Sequence, residues 1–98
     1  EDIMFMPLRC FTFYVHAYMD YLLSDKSEGD SAGASCFFGI VKVRRADIIA
    51  SGEELRNRAA DVLRHLRTNQ DWYHADRSIY GDFAVRAEDV LRLLAIGT

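Results

Sequence analysis

Two stretches 42 residues apart carry one pattern, Phe38 to Ile49 (FGIVKVRRADII) and Tyr80 to Leu91 (YGDFAVRAEDVL). Each runs from an aromatic and a glycine, through alternating apolar residues, to an arginine and an acid just ahead of paired aliphatics. Read as strands, these runs put Val41 and Val43 on one face, and likewise Phe83 and Val85, because strand side chains alternate. Asp47 and the Glu88/Asp89 pair then fall in the first turn of a helix, where unsatisfied backbone N–H groups favour negative charge. Only Gly39/Gly81, Val43/Val85, Arg44/Arg86 and Asp47/Asp89 are identical. The echo is therefore read as one strand-to-helix unit used twice, with too few copies for a solenoid.

The rest of the chain is divided around these units. From Pro7 to Ser24 the residues Phe11, Tyr14, Val15, Tyr18, Met19 and Leu22 recur at helical spacing, and Pro7 suits a first helical turn. Ser24 to Ser35 holds no large apolar residue and reads as a flexible loop. Strands are expected over Cys36–Val43 and Ile79–Val85, with Arg45–Ala50 as an irregular or single-turn segment between the first strand and the next helix. Ser51 with Glu54 offers a capping box for a helix reaching Asn69, whose stripe is Leu55, Ala59, Val62, Leu63 and Leu66. A closing helix over Ala87–Ala95, with Ala87, Val90, Leu91 and Leu94 inward, stops at Gly97.

The expected fold class is thus α+β, a single domain over residues 1–98 with about three helices and a small sheet in the order α-β-α-β-α. Two strands make no stable sheet alone, so the sheet needs a third strand at Ile3–Met6, completion across a dimer, or packing flat on the helices. Ninety-eight residues are too few for two separate cores.

Composition narrows the function classes. A net charge of −3 gives no general attraction to phosphate backbones or anionic lipid. Arg9, His16 and Asp20 interrupt the apolar opening from Ile3 to Leu23, which speaks against a membrane span, and the chain is read as soluble and cytoplasmic. Cys10 and Cys36 match no zinc or redox spacing and read as free thiols, with Cys36 a small buried hydrophobe opening the first strand. Residues 1–3 precede the first methionine, Met4, so the start reads as a trimmed end.

Candidate chemistry is thin. Asp71 to Arg77 (DWYHADR) gathers the sole tryptophan with Tyr73, His74, Asp76 and Arg77 and, because Trp, Tyr and Arg most often anchor interfaces, reads as a partner-binding loop; the competing reading has Trp72 or Tyr73 pinning the loop to the core. His16/Asp20 and Asp61/His65 each set an imidazole one turn from a carboxylate, which is two ligands where a closed metal site needs four; no metal or cofactor is expected. Lys42, Arg44 and Arg45 cluster at the end of the first strand, and Arg56, Arg64 and Arg67 share a flank of the long helix with Glu53. No nucleic-acid motif accompanies them, and no nucleic-acid partner is expected.

The first helix carries the assembly expectation. Tyr14, Tyr18, Tyr21 and Leu22 belong to an apolar arc wider than one core covers, and symmetric pairing hides such a patch. The expectation is a non-enzymatic protein–protein interaction or regulatory module acting as a homodimer. Its alternative is a small enzyme or ligand-binding domain whose pocket uses Cys and His.

Overall fold

Three aspartates start helices in this protein. Asp30 Oδ1 accepts from the Gly33 amide at 2.9 Å, Asp76 Oδ1 from Ser78 at 2.9 Å and Asp82 Oδ1 from Ala84 at 2.9 Å. Each satisfies an amide that has no partner inside its own helix. The computed structural model describes residues 6–95, and every regular element among them is helical: α1 (Leu8–Leu22), a 3-10 turn (Asp25–Ser27), α2 (Ser31–Val43), α3 (Arg45–Ala50), α4 (Glu53–Thr68), α5 (Arg77–Tyr80) and α6 (Phe83–Leu94).

The expected α+β class is therefore overturned. Cys36–Val43 is the body of α2, and Ile79–Val85 is divided among α5, a turn and the start of α6. Burial shows why. Val41 is fully buried while Val43 is 56% exposed, and Phe83 is fully buried while Val85 is 57% exposed, so each supposed strand pair lies on opposite sides of a helix. The buried residues of α2, Ala34, Phe37, Phe38 and Val41, and those of α6, Phe83, Ala87, Val90 and Leu94, follow the three-and-four spacing of a helix face. Gly39 lies inside α2, whereas Gly81 has φ 78° in the turn before α6, so the two halves of the sequence echo are not one unit used twice. The third strand proposed at Ile3–Met6 and the stop at Gly97 lie largely outside the described residues.

Helix-on-helix packing replaces the sheet. α4 and α6 form the most extensively packed pair, α2 lies against α6, and α3 bridges α2 to α4. One buried cluster takes Phe11, Val15, Met19 and Leu22 from α1, Phe37 and Phe38 from α2, Leu55, Leu63 and Leu66 from α4, and Phe83 and Leu94 from α6. Phe38 and Phe83 meet edge to face at 5.0 Å, a favoured arrangement for aromatic rings. Ser31 to Ser35, assigned to a loop by composition, form the first turns of α2.

Two arginines clamp the corners, and they are the echo's one shared role. Arg44 is 7% exposed, stands 4.2 Å over the Phe11 ring, donates Nη1 to the Met6 carbonyl at 2.6 Å and pairs through Nε with Asp47 at 2.7 Å. Arg86 stands 4.7 Å over the Phe38 ring and donates to Ser35 Oγ at 2.7 Å and to the Tyr80 carbonyl at 2.9 Å. Guanidinium groups in such places, buried at Arg44 and partly buried at Arg86, persist because their donors find oxygen acceptors and their faces find rings.

The capping box at Ser51 does not form. Ser51 Oγ donates back to the Asp47 carbonyl at 2.7 Å, and Gly52, at φ 111°, takes the position before α4. A side chain is rarely accommodated at that φ, so the glycine itself makes the turn.

Candidate functional site

α1 presents two apolar stripes on different sides. Phe11, Val15, Met19 and Leu22 point into the core. On another side, Cys10, Tyr14, Ala17 and Tyr21 recur at intervals of four, three and four, the seam spacing by which one helix receives another. With Met6, Pro7 and Tyr18 these four line a groove of about 790 Å³. Tyr14 is 52% exposed, and Phe13 beside it is 69% exposed, its ring edge-on to Tyr14 at 5.2 Å.

The tyrosines are fixed by the start of α2. Tyr18 is half-buried, leans on Phe37 at 5.9 Å and donates its hydroxyl to the Gly33 carbonyl at 2.7 Å. Tyr21 donates to Asp30 Oδ2 at 2.6 Å while the other oxygen of that carboxylate caps α2. Gly33 fits there because a Cβ would collide with the same carboxylate. Burial above all, then the neighbouring Cys36, Asp30 and Tyr21, push the Tyr18 phenol far above its ordinary value of 10.0. The hydrogen bond to Asp30 raises Tyr21, and burial raises Tyr73.

These shifts fix a pH dependence. A phenol whose pKa is higher in the folded than in the unfolded chain contributes stability that is complete below about pH 10, the unfolded value, and lost as pH rises through the folded value. The thermal midpoint is expected to hold level from about pH 7 to pH 9 and to fall above about pH 10, with a shallower fall in Tyr18→Phe. Equal slopes for the two proteins would remove Tyr18 as a source.

The polar strip of α1 is occupied by α4. Arg58 Nη1 donates to His16 Nδ1 at 2.8 Å and its Nη2 pairs with Asp20, so a guanidinium sits between the imidazole and carboxylate that spacing had set out as a ligand pair. Asp61 pairs with Arg64 at 3.0 Å. Among the described residues no group of three or more His, Cys, Asp or Glu converges.

The dimer residues expected from sequence divide. Tyr14, Tyr18 and Tyr21 line the groove, whereas Leu22 is fully buried in the core. Met6, Pro7, Cys10 and Ala17 complete the lining and were not read as site residues, although the 10, 14, 17, 21 spacing was present in the sequence. Of the partner-loop residues, Tyr73 is fully buried with its hydroxyl on the Leu22 carbonyl at 2.5 Å, and Trp72 packs against it at 4.9 Å on the core's edge. His74, at φ 57°, and Asp76 and Arg77 are exposed; Arg77 pairs with Asp71 at 3.3 Å.

Cys10 and Cys36 are both exposed free thiols, and Cys36 is thus not the buried hydrophobe its neighbours suggested. Cys10 lines the groove, but no histidine does. Compared with known protein families, with curated proteins and with solved structures, the chain matches none. Among the described residues no helix is long and apolar enough to cross a membrane.

Proposed function

We propose that the protein is a non-enzymatic interaction module that pairs with a second copy of itself through the outer stripe of α1. The observation that carries this reading is the exposed Cys10, Tyr14, Ala17 and Tyr21 seam, in which two large rings alternate with two small residues as facing helices require. Tyrosine suits such a contact, because its ring buries area while its hydroxyl keeps a polar partner at the rim. A cytoplasmic setting belongs to the same proposal and is supported by the two exposed, unpaired thiols.

Light scattering at micromolar concentration tests it. The expected mass is twice the 11.2 kDa of one chain. Tyr14→Glu is the chosen variant because Tyr14 is half exposed, whereas Tyr18 is tied to Gly33 and Phe37 and its loss would disturb α2. Tyr14→Glu is expected to weaken self-association by at least about 30-fold, equivalent to a hot-spot loss of about 2 kcal/mol, with helicity unchanged. An 11.2 kDa species alone would defeat the proposal, and an undisturbed dimer in Tyr14→Glu would move the contact off this stripe.

A further inference from the structure

A second groove, of about 510 Å³, runs between α4 and α6 and is chemically unlike the first. Arg56, Arg64 and Arg67 of α4 and Arg92 of α6 line it, so four of the chain's twelve basic residues face one of its fifteen acidic residues, Glu88. Ala60, Leu91, Leu94 and Ala95 give its lining aliphatic surface between the arginines. Arg67 pairs with Glu88 across the two helices at 2.5 Å and holds the groove's walls together. Among the described residues, Arg64 and Arg92 are held by exposed carboxylates on their own helices, Asp61 and Asp89, each at 3.0 Å. Exposed pairs of that kind are weak and exchange readily for a better partner. Arg56 has no acidic partner among the described residues.

We propose that this groove docks an acidic amphipathic protein segment, with its aliphatic side chains on Ala60, Leu91 and Ala95 and its carboxylates on Arg56, Arg64 and Arg92. Guanidinium groups match carboxylates as two-point donors. From Arg56 to Arg67 the flank runs about 17 Å along α4, the length of about three helical turns of a docked segment. Nucleic acid fits less well. No aromatic ring lines the groove to stack a base, and a chain of net charge −3 repels a dense polyanion while still admitting a few carboxylates locally. The inference is independent of self-association through α1, which uses the other groove.

The test is fluorescence anisotropy with a labelled synthetic helical peptide of about twelve residues, Glu and Leu set on opposite faces. An otherwise identical peptide with Gln for Glu, and a single-stranded oligonucleotide, serve as comparisons. The Glu peptide is expected to bind with micromolar affinity that weakens with added salt. Arg56→Glu with Arg64→Glu is expected to weaken binding at least about tenfold, and Lys26→Glu, exposed and outside the groove, to leave it unchanged. The neutral pair Arg56→Gln with Arg64→Gln, which adds no repulsion beside Asp61, is expected to weaken it several-fold and keeps the test valid should the charge reversal impair folding. Equal binding of the Gln peptide, tighter binding of the oligonucleotide, or an equal effect of Lys26→Glu would each overturn the proposal. So would dissociation of a self-associated protein by the same charge reversals, which would make the groove a contact between copies.

Discussion

Tyr73→Ala is expected to lower the free energy of unfolding by about 3–5 kcal/mol, the range for removing a buried aromatic side chain. A domain of this size is stable by about 5–15 kcal/mol in all, so the variant loses a large share of its stability. The loss has three parts. The ring is fully buried, it meets Trp72 and His65 edge-on at 4.9 and 6.0 Å, and its hydroxyl reaches 51 residues back to the carbonyl that ends α1. Tyr73→Phe isolates the third part and is expected to cost only about 1 kcal/mol. The Leu22 carbonyl keeps Ser27 Oγ as a donor at 3.0 Å, which limits that loss. Urea unfolding of both variants measures the difference. A Tyr73→Ala protein with an unshifted midpoint would give the residue back to surface recognition.

Gln70→Ala is expected to cost about 2–4 kcal/mol although the side chain it removes is polar. Gln70 is 3% exposed; its Nε2 donates to the carbonyls of Ala75 at 3.0 Å and Gly81 at 2.8 Å, and its Oε1 accepts from the Phe83 amide at 2.9 Å. One amide group thus fixes the loop from Gln70 to Ala75, the turn at Gly81 and the first residue of α6. Truncation leaves three backbone groups without their partner away from water. Gln70→Glu keeps the acceptor but turns an anionic oxygen toward two carbonyls, so it is expected to be as unstable at neutral pH and to regain part of the loss in acid, where the carboxyl carries a proton again. Unfolding curves at about pH 4 and pH 7 would show this, and a pH-independent deficit would mean that packing, not the donors, sets the cost.

The helices legible in the sequence were those whose apolar stripe runs over several turns. α1 showed Phe11, Val15, Met19 and Leu22, and α4 showed Leu55, Ala59, Val62, Leu63 and Leu66, and both stripes are buried. The body of α6 was legible as the closing helix, but α2 and the first turn of α6 read as strands, because Phe37, Phe38, Ile40 and Val41 in one and Phe83 and Val85 in the other form short runs of aromatic and β-branched residues where alternation and helical spacing look alike. The deciding signals lay just upstream: Asp30 and Asp82 stand ahead of the runs as helix starters, which only their hydrogen bonds reveal. The difficulty of building a sheet from two strands was itself a sign that neither was one.

At the candidate surface, Tyr14 and Tyr21 stood out because tyrosines beyond the reach of one core need another cover. Cys10 and Ala17 did not, because small side chains carry no hydropathic signal although they shape the space between the rings. That Trp72 or Tyr73 pins its loop to the core was one of two readings open in the sequence, but which ring goes inward was not legible. It depends on the left-handed backbone at His74 and on a carbonyl at the end of another helix, neither of which has a local signature.

The carboxylate of Asp30 joins the surface to the interior. One oxygen begins α2, and the other holds the tyrosine at the rim of the α1 groove. An approaching helix that draws Tyr21 aside also takes a partner from the group that starts α2, and a frayed α2 in turn releases Tyr21 into the groove's mouth. The position of Tyr21 and the start of α2 are therefore coupled through one carboxylate, a link that Tyr14, further up the same stripe, stands outside.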